Sequence, residues 1–226
     1  MKLIADIDDV LNTTRAVRKR LDFGRKVERE VVEECLLMAQ QAAVGSNKED
    51  WRFVVVTELE VKSRIAELYR QVWEQTVSAP LAAGEAATVA RLSPSMRETE
   101  EDKHRQIKIL EGVKYLVDNL EQVPAILFAC STAPTPRKSM GGSASGYYGS
   151  IFPFIWSFQL ALRSRGLGSV LATAIAHKAL EAAKILNLPE GCHVIAMVPF
   201  GYTVGSDFKK GARGPLDLIV QWEQWF

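Results

Sequence analysis

Residues 149–173 constrain this chain more than any other stretch. From 151 to 162, bulky apolar side chains stand on every side of a 3.6-residue period, so the spacing predicts a helix buried all round. Pro153 is expected in its first turn, where a missing N–H costs nothing. Arg163 and Arg165 fall in the last turn, where positive charge suits the carbonyl end, and Gly166 stops the helix. Residues 168–173 then have the small and β-branched content of a buried strand. A membrane span competes with this reading, but the run is too short and is interrupted by Gln159 and both arginines.

A chain of 226 residues has ample core for one large domain or two small ones. Helical and strand patterns alternate without an internal repeat, which reads as a single α/β or α+β domain over 1–226. The formal net charge is +1 and the basic residues are scattered, so no nucleic-acid footprint is present. Cys35, Cys130 and Cys192 lie far apart in apolar elements, which suggests buried thiols in a reducing compartment rather than a zinc site or a redox dithiol. Asp6, Asp8 and Asp9 follow the opening five residues too closely for a signal-peptide core, so the expected location is the cytoplasm.

The pattern along the chain predicts helices over 6–12, 28–43, 61–73, 103–120 and 177–186. Strands are expected over 51–57, 123–129 and 192–199, and the basic segment 13–21 reads as extended or turn. Residues 79–101 shift to Ala, Ser, Pro, Gly and charge, an excursion from the core that could act as a lid. Residues 131–148, punctuated by Pro134, Pro136, Gly141, Gly142 and Gly146, read as loop, and the tail from Gly201 as turns.

Few residues look catalytic. His104, His177 and His193 do not cluster at ligand spacing, and no Cys–His pairing suggests a thiol nucleophile, so neither a metal nor a catalytic side chain is expected. The glycines at 141, 142 and 146 lack the Gly-x-Gly-x-x-Gly order of a dinucleotide loop, and no acidic residue follows at the usual offset. Three polar islands remain: Arg15/Arg18/Lys19, Gly45-Ser46-Asn47, and the basic run 209–213. Two basic clusters from opposite ends of a chain are able to converge on one phosphate.

Four stretches, in order, resemble the FMN-dependent nitroreductase family. Thr14-Arg15-Ala16-Val17-Arg18 is similar to its opening Arg-Arg-Ser-x-Arg motif. Ala42-Ala43-Val44-Gly45-Ser46-Asn47-Lys48-Glu49-Asp50-Trp51 is similar to its Ala-Pro-Ser-x-x-Asn-x-Gln-Pro-Trp stretch. Gly166-Leu167-Gly168-Ser169 and Arg213-Gly214-Pro215-Leu216 complete the pattern. Thr14 and Ala16 replace an Arg and a Ser, so one hydroxyl contact to a phosphate should be missing. Ala43-Val44 and Lys48-Glu49-Asp50 also depart from the family pattern.

The resemblance implies an α+β fold with a central, mostly antiparallel sheet surrounded by helices, in an intertwined homodimer with two FMN sites at the interface. Arg15, Arg18 and Arg213 would hold the phosphate, with Ala16 and Val17 between them and Lys210 nearby. Ala43, Val44, Gly45, Ser46 and Asn47 would come from the partner chain, and Ser150 would offer a polar contact to the flavin. Leu171, Ala172, Thr173 and Ala174 would run along the isoalloxazine edge and give backbone groups to its ring nitrogens. The implied activity is ping-pong hydride transfer from NADH or NADPH to a nitroaromatic or quinone-type acceptor. The alternatives are a flavin-binding carrier or structural dimer without turnover, and a flavin- or deazaflavin-linked dehydrogenase. Neither a nucleic-acid nor a membrane partner is expected.

Overall fold

Strands β1 (Trp51–Val56), β2 (Ala125–Ser131), β3 (Leu167–Ser169) and β4 (His193–Tyr202) form one antiparallel sheet in the order β1-β2-β4-β3. The computed structural model describes residues 6–82, 100–134 and 141–224. Its helices are α1 (Ile7–Thr13), α2 (Arg29–Ala39), α3 (Leu59–Trp73), α4 (Ala79–Ala82), α5 (Glu100–Asn119), α6 (Gly141–Ser164) and α7 (Ala179–Ile185). Most of the excursion expected at 79–101 lies outside the described residues; α4 and the start of α5 are its described ends.

Alternation along β2 divides the core in two. Ile126, Phe128 and Cys130 face one cluster with Ile65, Tyr69 and Val72 of α3 and Leu116 of α5. Ala125, Leu127 and Ala129 face the other, with Val32 and Cys35 of α2 and Phe154, Ile155 and Phe158 of α6. Small residues on that second face make room for the aromatic rings of α6, and Phe158 meets Phe200 edge-on at 5.5 Å. A bulge sits where Ala129 pairs with Ala196 but Cys130 pairs with Val194. Ile195 is the extra residue, and Ile195 and Ala196 both join the α6 side.

All three cysteines are buried free thiols, as expected. Burial pushes Cys35 up to about 11 and Cys130 up to about 12, so neither is a thiolate at neutral pH. The linear spacing concealed one contact: Cys130 and Cys192 hydrogen-bond side chain to side chain.

The central helix corrects three expectations. It has 24 residues and begins at Gly141, so residues 141–148 are helical rather than loop; residues 135–140 lie outside the described set. Pro153 is therefore inside the helix, where it cannot donate to the Gly149 carbonyl. Nor is the helix buried all round. Ile151, Phe154, Ile155, Phe158 and Leu162 are buried, but Trp156 is 45% exposed and Tyr148 42%. With half-buried Phe152 and Leu160 these form an i, i+4 apolar stripe on the outer face, and Tyr148 stacks on Phe152 at 6.0 Å.

The strand expected over 168–173 is shorter than its composition suggested. It ends at Ser169, and only Ala172 returns to bridge Met197. Gln159, buried in α6, donates to Ser169 Oγ at 3.0 Å, which satisfies a polar pair inside the core. Arg163 and Arg165 are also buried. Arg165 donates to Glu34 and to the Ala161 carbonyl, tying the helix end to α2, while Arg163 donates to Thr13 Oγ1 and the Ser206 carbonyl. Among the described residues no helix is long and apolar enough to cross a membrane.

Candidate functional site

The basic segment 14–21 is held by backbone bonds at both ends. Val17 N–H donates to the Ser169 carbonyl at 2.9 Å, and Val204 N–H donates to the Arg20 carbonyl at 2.9 Å. Buried Val17 lies flat against the sheet because Gly168 has no side chain: a Cβ there would come within 2.8 Å of Val17 and 2.7 Å of Thr203. Arg20 donates to the carbonyls of Val204 and Asp207 and pairs with the Asp207 carboxylate at 3.0 Å, its guanidinium lying over the Phe208 ring. Arg15 reaches the Lys209 carbonyl at 3.2 Å. The two ends of the chain therefore converge.

Between them opens a cleft of about 520 Å³ lined by Arg15, Ala16, Val17, Arg18, Lys19 and Arg20, by Arg105 and Lys108 of α5, and by Lys209. Arg18 is the informative member. It runs past Gly112 of α5, is half-buried, and makes no hydrogen bond or ion pair among the described residues. Burial pushes its guanidinium below the ordinary arginine value, only partly offset by Tyr69. A cation held away from water without a counter-ion costs free energy unless an anion joins it. With Arg15 beside it, the cleft fits a phosphate.

Lys210 and Arg213 do not line this cleft. Both are exposed, and Arg213 folds back over Gly211 to donate to the Ala212 carbonyl at 2.9 Å. Their neighbour Lys209 lines it instead.

The second island is built differently. Gly45-Ser46-Asn47 forms one 3-10 turn whose Ser46 and Asn47 have φ of 55° and 54°, a left-handed backbone that serine rarely adopts. Gly45 N–H donates to Ser150 Oγ at 3.0 Å, and Ser150 donates onward to the Gly146 carbonyl at 2.7 Å. Gly45, Ser46 and Ser150 line a cavity of about 350 Å³ with Lys48, Asp50, Trp51, Ser131 and Tyr147. Ala43 and Val44 lead into the turn without lining the cavity. The structure thus joins Ser150 to the Gly45 loop within one chain. The two cavities share no lining residue.

Residues 171–174 follow β3 toward the core. Ala172 N–H donates to the Met197 carbonyl at 2.8 Å and its own carbonyl accepts from Met197 at 3.1 Å. The Ala172 N–H is committed to the sheet, and its carbonyl already accepts one bond there. Leu171 and Thr173 alternate with it and are exposed, whereas Ala174 opens a 3-10 turn and is half-buried.

Comparison with known proteins agrees with the α+β architecture. The Nitroreductase family model matches residues 12–202. No curated protein matches. A variant of the FMN and NADPH-dependent nitroreductase NfnB from sphigopyxis sp. strain HMH is 18% identical over 97% of this chain and 100% of that chain, with a TM-score of 0.67. A BluB-like flavoprotein from Clostridium difficile 630 is 17% identical over 97% and 99%, with a TM-score of 0.66. Iodotyrosine deiodinase bound to FMN and 3-iodo-L-tyrosine is 21% identical over 97% and 100%, with a TM-score of 0.65.

Proposed function

The chain belongs to the nitroreductase family, and from that premise we propose that it is an FMN-dependent oxidoreductase. In this reading it passes hydride from NADH or NADPH to an electron-poor acceptor of the nitroaromatic or quinone type, as a cytoplasmic homodimer. The observation that carries the reading is Arg18: a half-buried cation without a counter-ion among the described residues, beside Arg15 and opposite a glycine. Arg15 and Arg18 would hold the phosphate of FMN. Ala16 would add no hydroxyl contact, but its backbone bridge to Ser169 fixes the segment that carries both arginines.

FMN supplies the hydride-accepting and electron-donating chemistry when bound. The chain's part is position. Leu171 and Thr173 would line the ring edge, since Ala172 is committed to the sheet. The Gly45 turn and Ser150 are one hydrogen-bonded unit, so in the dimer both would be offered to the partner's flavin together. The apolar stripe of α6, Tyr148 to Leu160, supports the dimer because no polar face covers it.

The test is direct. Purified protein should bind FMN in a spectral titration, and Arg18→Ala should weaken that binding by roughly 1.5–3 kcal/mol. NAD(P)H oxidation with a quinone should give parallel double-reciprocal plots, as expected if donor and acceptor take turns at one site. No FMN binding would overturn the cofactor assignment, and intersecting plots the single-site shuttle.

A further inference from the structure

The cleft that would hold the FMN phosphate has more positive charge than one phosphate needs. Seven cations line it and one carboxylate, Asp207. Arg20 pairs with Asp207 at 3.0 Å, Lys19 with Glu111 at 3.5 Å, and Arg105 with Glu101 at 3.4 Å. Arg15, Arg18, Lys108 and Lys209 have no carboxylate partner among the described residues. A phosphate monoester carries only about −1.5 to −2 at neutral pH. Two cations suffice for it.

One of these four, Lys108, shares a helix face with the ion-paired Arg105. Arg105, Lys108, Ile109 and Gly112 stand at i, i+3, i+4 and i+7 on α5, so they share one helix face, and all four line the cleft. Gly112 marks where Arg18 crosses the helix, since a Cβ there would lie 3.7 Å from Arg18 Cδ. Lys108 is one turn away and Arg105 two, about 10 Å along the axis from Gly112 at 1.5 Å per residue. A short rail of two cations, Lys108 and the Glu101-paired Arg105, therefore leads from the Arg18 head toward the start of α5. This rail is absent from the four motifs that identify the family, and Lys108 is an exposed side chain with no packing role.

We infer that Lys108, supported by Arg105, recognises a second phosphate monoester on the electron donor, the 2′-phosphate that distinguishes NADPH from NADH. The inference rests on the FMN reading for the place of the first phosphate. Lys108 is then a specificity-determining residue and takes no part in hydride transfer. Among the described residues its ammonium has no competing ion pair that the donor's phosphate would have to displace.

The decisive quantity is the ratio of kcat/KM for NADPH to that for NADH. The wild-type ratio should favour NADPH roughly tenfold or more, the worth of one charge-assisted contact, and Lys108→Glu should lower it at least as far. Both donors are assayed at FMN saturation of each protein, where the ratio separates donor recognition from any change in cofactor binding. A wild-type ratio near one, or equal loss for both donors in the variant, overturns the inference. If the protein binds no FMN, the proposed function fails, yet the second site is still open to measurement on the bare protein by calorimetry. Adenosine 2′,5′-bisphosphate should then bind more tightly than adenosine 5′-diphosphate, and Lys108→Glu should abolish the preference. Equal binding of the two nucleotides overturns the inference independently of the flavin.

Discussion

Helices α3 and α6 pack on opposite faces of the same sheet and finish their outer faces in opposite ways. Helix α3 buries Ile65, Ala66, Leu68, Tyr69 and Val72 and turns Glu60, Arg64, Glu67 and Gln71 to solvent. Helix α6 buries as much but carries no charged residue from Gly141 to Leu162, and its outer face shows Tyr148, Phe152, Trp156 and Leu160. A chain gains nothing by leaving rings in water when the opposite layer manages a polar face. One layer is completed within the chain; the other leaves an apolar stripe uncovered among the described residues.

That contrast is open to breaking by substitution. The largest effect is expected on the closed side: Phe128→Ala, a fully buried ring facing α3, should cost about 3–5 kcal/mol in urea unfolding, at every protein concentration. On the open side, Trp156→Glu should leave the circular dichroism spectrum intact but weaken self-association by about 2 kcal/mol or more, over tenfold in Kd by sedimentation. A wild-type protein already monomeric at micromolar concentration would defeat the reading of α6 as unfinished.

Arg18→Ala sharpens the comparison from a third direction. Arg18 sits on the closed side, against Tyr69 and Gly112. Its loss should weaken FMN binding by roughly 1.5–3 kcal/mol and leave the sedimentation constant of the apoprotein as it was. Equal weakening of association would mean that the two layers are not independent.

The smallest effect concerns pH. Tyr202 donates to Glu28 at 2.6 Å, and that hydrogen bond holds the Glu28 carboxyl below its ordinary value. A depressed carboxyl stabilises the fold above its unfolded pKa, and the stabilisation is lost as pH falls through the folded one. Tyr202→Phe should therefore melt slightly lower than wild type at pH 7, and the gap should close in acid. A gap that persists or widens below pH 3 would show that the hydroxyl acts through something other than the Glu28 carboxylate.

What the sequence made legible follows from physics that acts over short range. The 3.6-residue period located α2, α3 and α5, and the β-branched runs located β1, β2 and β4 within a few residues. The first turns of α6 stayed hidden because Gly141, Gly142, Gly146 and Gly149 have poor helix propensity, and tertiary packing outweighs it. Pro153 was misplaced for the same reason: a helix thought to begin at residue 151 put it in the first turn. At the site, Arg15 and Arg18 were visible through a motif. Lys209 rather than Lys210 lines the cleft, and the aperiodic tail offers no phase by which to choose between them. Lys108 and Arg105 share a helical face that anyone can count, but its meaning appears only when Arg18 is seen to cross Gly112. The commitment of Ala172 to Met197 likewise depends on a strand far along the chain.

The contact between Val17 and Gly168 has a consequence for solubility. Strand β3 is the last of its sheet and only three residues long, and its outer side is occupied by Ala16 and Val17 through a parallel bridge and the Val17–Ser169 bond. An uncovered border of this kind is a template for another chain's backbone. The segment that carries the arginines is thus also the seal on that border. A bulkier residue at position 168 would lift the seal, and the same lesion would scatter the side chains of Arg15 and Arg18 and expose a strand that recruits its neighbours into precipitate. The placement of the two arginines and the cover on that border both depend on one missing methyl group.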